Sequence, residues 1–92
     1  MMQFEWNEDK AQANLKKHKI AFEDALYVFT DHYRIETIDN RSYYGEERWN
    51  TVGIACGVLI FVTYTVRGEN IRIISARKAN GQENQKYRQG FF

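Results

Sequence analysis

Residues 48–66 read Arg48-Trp49-Asn50-Thr51-Val52-Gly53-Ile54-Ala55-Cys56-Gly57-Val58-Leu59-Ile60-Phe61-Val62-Thr63-Tyr64-Thr65-Val66. Two runs rich in β-branched and aromatic residues flank Cys56-Gly57, a two-residue connection suited to a tight hairpin. The pattern predicts strands over Arg48–Ala55 and Val58–Val66. Within the second, Val58–Val62 shows no polar alternation, which places it at the centre of a sheet with both faces covered. The apolar stretch from Val52 to Val66 is too short, and too interrupted by glycine, to cross a bilayer.

Toward the carboxyl terminus, Arg67-Gly68-Glu69-Asn70 reads as a turn, Ile71–Ala76 as a last strand and Gly81–Arg88 as a short closing helix. Toward the amino terminus, Tyr33–Asp39 reads as a strand that leads into a polar loop, Asn40–Gly45. Before it, Phe22, Ala25, Leu26 and Phe29 fall at i, i+3, i+4 and i+7, the apolar face of a helix aimed at a sheet. An earlier helix starts at Asn7, a natural N-cap, with Glu8 and Asp9 in its first turn and Lys16, Lys17 and His18 in its last. Ala11, Leu15 and His18 form its narrow stripe, and Gln3–Trp6 suits a short strand. The expectation is one α+β domain over residues 1–92: two N-terminal helices packed on an antiparallel sheet of about four strands, then a short C-terminal helix.

Composition bounds the function. Ninety-two residues with 43% hydrophobic and 27% charged side chains exclude a disordered tail and leave no room for a second folding unit. The formal charge of +1 is too near neutral to suggest, from the total alone, a nucleic-acid coat or an acidic-surface binder. Its distribution is uneven. Residues 1–66 carry seven basic and ten acidic side chains, whereas residues 67–92 carry six basic and two acidic. A cationic region at the last strand is therefore expected. One cysteine, Cys56, forms no internal disulfide, which points to a reducing cytoplasm. The charged amino terminus predicts no secretory leader.

No metal or cofactor is expected, because one cysteine and two distant histidines lack ligand spacing. Nor is there a phosphate-cradling glycine loop or a nucleophile elbow. Arginine on strands remains. Arg72 and Arg77 bracket Ile73-Ile74-Ser75-Ala76, with Arg67 a turn before, and a guanidinium matches phosphate oxygens with a planar fork. Arginines beside Trp49 and Tyr64 suit a phosphodiester with stacked bases. The plainer alternative pairs each arginine with Glu5, Glu36 or Glu69. Strict alternation puts Arg72 and Arg77 on opposite faces unless the strand bulges between them. Lys16-Lys17-His18-Lys19 is either a cation-decorated helix end or a proton-transfer histidine among phosphate-binding lysines. Glu46-Glu47-Arg48-Trp49 is either a loop-to-strand boundary or the location of a basic carboxylate.

Phe4-Glu5-Trp6, Lys10, Asn14, Lys17-His18, Phe22-Glu23-x-Ala25, Phe29-x-Asp31, Glu47-Arg48 and, above all, Arg72-Ile73-Ile74-Ser75-Ala76-Arg77-x-Ala79 with Glu83 and Tyr87 resemble the BrnT family of bacterial type II toxins. The resemblance runs from Phe4 to about Tyr87. Asn7, Lys19 and Ala21 depart from the family pattern. It implies a RelE-like fold, a ribonuclease that inhibits translation, and a cognate BrnA antitoxin whose complex contacts promoter DNA mainly through the antitoxin. The reaction expected is metal-independent endoribonucleolytic cleavage of RNA, with Arg72, Arg77, His18 and Glu47 as catalytic candidates. Lys17, Arg48, Trp49, Arg67 and Tyr87 are the candidate substrate-binding residues. The alternative is a non-catalytic RNA-binding or regulatory interaction module.

Overall fold

The structure, a computed structural model, describes residues 3–39 and 45–91. Most of the expected 40–45 loop lies outside them. The fold is α+β, with strands β1 (Gln3–Glu5), β2 (Ile35–Asp39), β3 (Arg48–Ala55), β4 (Val58–Arg67) and β5 (Asn70–Lys78) in the order β1-β5-β4-β3-β2. The sheet is mixed rather than antiparallel, and has five strands rather than about four. Gln3–Glu5 adds to the edge of β5 in parallel, which the long intervening chain permits. The apolar run on β4 does occupy the sheet centre, with Ile60, Phe61 and Val62 buried, but Val58 beside the hairpin turn stays 39% exposed rather than covered on both faces.

The β3–β4 hairpin closes through Cys56 and Gly57, both at positive φ (53° and 78°), the backbone of a two-residue type I′ turn. Helices α1 (Glu8–His18) and α2 (Phe22–Ala25) cover one face of the sheet. The helix expected to reach Phe29 tightens instead into a 3-10 segment over Leu26–Thr30. That segment drives Val28 against β3 at Gly53, where an added Cβ would lie 2.9 Å from Val28 Cγ1. Phe22, Ala25 and Val28 are fully buried against Ile60, Val62, Ile73 and Ala76. Phe29 stacks between Phe4 and Tyr64.

The stripe expected on α1 also shifts. Leu15 stays 42% exposed, and Asn14 is buried in its place. The Asn14 amide donates to the carbonyls of Ala76 and Ile20, and its oxygen accepts from the Ala76 N–H. It thus replaces a neighbouring strand where β1, which spans only Asn70–Arg72, leaves the β5 edge open. Lys19 closes α1 in the left-handed conformation (φ 63°), its N–H reaching Leu15.

Helix α3 (Gly81–Gln89) begins with a capping box between Asn80 and Glu83 and lies on the opposite face. It covers only one end, where Ala79 and Tyr87 meet Ile35, Val52, Leu59 and Phe61. Tyr87 donates a 2.6 Å hydrogen bond to Asp31, whose carboxylate also accepts from the Ile54 and Tyr33 N–H groups. Burial opposes the charge on Asp31, but these three donors prevail and hold its pKa below the ordinary value. For Tyr87, burial and then the Asp31 bond push the pKa up to about 12. The two shifts have opposite consequences. Stability from Asp31 is present above its unfolded pKa of about 3.9 and is lost as pH falls through the lower folded value. Stability from Tyr87 is present below its unfolded pKa of about 10 and is lost as pH rises toward 12. Tyr87→Phe should therefore be less stable than the parent near neutrality, with the gap narrowing between about pH 10 and 12. Urea midpoints measured across that range check it; a constant gap would show that the bond does not hold the proton.

Candidate active site

Pairing register divides the sheet's side chains cleanly, because alternate residues of a strand point to opposite faces. The face away from α1 and α2 forms successive rungs. Asp39, Arg48, Thr65, Arg72 and Glu5 align across all five strands in one rung. Thr37, Asn50, Thr63 and Ser75 align in the next, and Ile35, Val52, Phe61 and Arg77 in the third. The face therefore grades from ionic, through hydroxyl and amide, to the apolar end beneath α3. Thr63 donates to the Asn50 side chain at 2.8 Å, and Thr65 donates to the Glu47 carbonyl at 2.6 Å.

A register shift at Thr63/Tyr64 leaves Ile74 outside the ladder. This bulge resolves the parity problem: Arg72 opposes Thr65 and Arg77 opposes Phe61, so both arginines share the polar face. They do not share a partner. Arg77 stacks 4.1 Å over Phe61, grips Glu83 with two 2.8 Å bonds and donates to the Lys78 carbonyl. Burial opposes ionisation of Glu83, yet the Arg77 fork and the Asn80 N–H lower its pKa. Thr65 and Phe61, which oppose the two arginines on β4, stand four positions apart, about 13 Å of strand.

Arg72 belongs to a different group. It meets Glu5 at 2.7 Å, beside Asn70, which donates to the same carboxylate. Arg67 forms a bidentate pair with Glu46 at 2.9 Å. Hydrogen bonds from Asn70 and Arg72 lower the Glu5 pKa, with Arg67 adding its field; the Arg67 bond lowers that of Glu46, with the fields of Arg48 and Arg72 behind it. Arg48, Arg67 and Arg72 thus act on one locus, the ionic end of the face. The cationic region expected from residues 67–92 is offset there by acids from the first two-thirds of the chain. Exposed ion pairs of this kind contribute about 0–1 kcal/mol each, so separating these guanidiniums from their carboxylates costs little.

The remaining expected residues scatter. Glu47 is exposed immediately before Arg48 at the ionic end. Lys17 and half-buried His18 line a groove with Lys10, Ala13, Asn14, Ile74 and Ser75, across the β5 edge. Trp49 and Tyr64 point to the other face, packed against the helices; Tyr64 donates to Glu36. They therefore do not flank the arginines, because each stands an odd number of residues from Arg48 and Thr65. Tyr87 is engaged with Asp31 under α3. Sequence reading passed over Asp39 and the hydroxyl–amide rung. Its visible signal was Thr63 and Thr65 alternating with Tyr64 and Val66 at the end of an otherwise apolar strand, and Asn50 two residues after Arg48. Among the described residues, no three His, Cys, Asp or Glu side chains gather as metal ligands, and no helix is long and apolar enough to cross a membrane.

The family model for the ribonuclease toxin BrnT of type II toxin–antitoxin systems matches residues 6–83. No curated protein matches the chain.

Proposed function

The chain belongs to the BrnT family of ribonuclease toxins of type II toxin–antitoxin systems, and from that premise we propose that it is a metal-independent endoribonuclease that arrests translation by cutting RNA. The observation that carries this reading is the shared locus of Arg48, Arg67 and Arg72 at the ionic end of the sheet face, where Arg67 is exposed and Arg48 and Arg72 are partly exposed. The RNA provides its own nucleophile. Its 2′-OH attacks the adjacent phosphorus and loses its proton, the P–O5′ bond breaks, and the departing 5′ oxygen takes up a proton. The products are a 2′,3′-cyclic phosphate and a 5′-hydroxyl end. Guanidinium groups on a rigid sheet stabilise the pentavalent dianion without reorganising.

In this reading Arg72 and Arg48 hold the reacting phosphate from strands flanking β4, and Arg67 assists from the neighbouring rung. Proton transfer falls to Glu47, beside Arg48; His18, the other candidate, lines the groove across the β5 edge, away from the reacting phosphate. In the neutral rung, partly exposed Thr37 and Ser75 offer hydroxyls to sugar and base, whereas Asn50 and Thr63 are buried and bonded to each other. Arg77 seats α3 at the apolar end of the face. Type II membership brings an antitoxin partner; we assign it a BrnA-like identity, an acidic segment that covers the arginines in place of RNA, and the contacts of the complex with promoter DNA. The setting is the cytoplasm.

Purified protein incubated with RNA, with and without EDTA, tests the reaction when the new ends are mapped. Cyclic-phosphate ends that form equally in EDTA are expected. Cleavage abolished by EDTA contradicts the metal-free route, and binding without new ends makes the chain a non-catalytic RNA-binding module.

A further inference from the structure

The sheet arginines and the helix lysines differ in one respect that their sequence does not reveal. Arg67, Arg72 and Arg77 each hold a carboxylate. Lys10 and Lys17 form no ion pair among the described residues, although they stand seven residues apart on the same side of α1. Both border a groove of about 260 Å³ between α1 and the β5 edge, with His18 on its wall and the bulge at Ile74 and Ser75 opposite. Asn14 forms the floor. Its side chain occupies the edge groups of Ala76, so this stretch of β5 does not accept another strand. Ser75 opposes Thr63, which places it on the polar face, three residues from Arg72. The groove is therefore continuous with that face at Ser75, about 10 Å of strand from the reacting centre.

We propose that the groove formed by Lys10, Lys17, His18 and Ser75 seats a second phosphate of the same RNA strand, so that the substrate lies along β5 and crosses its edge at the bulge. This rests on the RNA-cleaving reading above. Two unneutralised ammonium groups, an imidazole and a hydroxyl provide point-charge and hydrogen-bond recognition of a phosphodiester without base preference. Continuity with the polar face favours RNA over an acidic protein segment.

Each phosphate neutralised on a single strand contributes about 0.7 to the slope of log affinity against log salt. The probe is a fluorescein-labelled 2′-O-methyl RNA 12-mer, which cannot be cut, titrated at several salt concentrations. Lys10→Ala and Lys17→Ala should each weaken binding and flatten the slope, and replacing both should flatten it by about 0.7, the share of one phosphate. Lys16→Ala removes the same charge from the same helix outside the groove, and should leave the slope unchanged. All of these variants are alanine in a helix, so thermal melts verify folding. Equal effects at Lys16, or none at Lys10 and Lys17, would overturn the subsite and reveal a diffuse charged surface. Unchanged RNA binding with lost affinity for a polyglutamate 12-mer would also overturn it, making the groove a protein-partner site. If the unaltered protein binds no RNA, the function reading itself falls, which distinguishes that failure from failure of the groove.

Discussion

Arg72→Ala is expected to cut RNA about 10²–10³-fold more slowly while remaining folded, the usual loss for one preorganised donor to a developing oxyanion. The separation of the two β5 arginines is the reason for expecting activity without stability to change. Arg72 holds Glu5, both are partly exposed, and removing the guanidinium returns an exposed carboxylate to water. Arg77→Ala should show the converse. Glu83 is nearly buried, and loses both bonds of its fork while the ring of Phe61 loses its cation. A lost hydrogen bond to a charged group costs about 1–3 kcal/mol, which lowers the melting temperature by roughly 4–24 °C in a domain of this size. Cleavage per folded molecule, measured well below that melt, should fall by much less than for Arg72. Single-turnover rates and melting curves for both variants decide it. An Arg77 variant as inactive as the Arg72 variant, with unchanged stability, would return Arg77 to the reacting phosphate.

Asn14→Ala is expected to have the largest effect on stability, about 3 kcal/mol or more. Three backbone groups, the N–H and C=O of Ala76 and the C=O of Ile20, lose their partner in a buried setting. Each orphaned group costs about 1–3 kcal/mol. The midpoint of thermal unfolding should drop by roughly 12–25 °C. The same change exposes the β5 edge between Ile73 and Lys78, so light scattering should show association that the parent lacks. A small thermal shift with no association would mean that water replaces the amide and that α1 does not seal the edge.

Much of the fold was legible in one dimension because it depends on local chemistry. The Asn7 cap, the acidic and basic ends of α1, the two-residue turn at Cys56-Gly57 and the apolar run on β4 are properties of neighbours in the chain, and each stands where the pattern put it. The parallel addition of Gln3–Glu5 to β5 was not legible, since a three-residue strand has almost no periodicity and its partner lies more than sixty residues away. Nor was the tightening of the second helix, which depends on how Val28 meets a glycine on another strand.

For the candidate site the division is sharper. The residues themselves determined the chemical kinds available: phosphate-matching guanidiniums in the last third, one histidine among lysines, and carboxylates before β3. Tertiary structure alone decided which of them act together. One bulged residue reversed the facing of everything beyond it on β5, bringing Arg72 and Arg77 to one side. Long-range pairing then assigned Glu5, Glu46 and Glu83 to three arginines that look uncompensated in the linear charge pattern. Local propensity acts over a few bonds, whereas facing and charge compensation are set by register between distant strands, and register is a property of the packed sheet rather than of any segment within it.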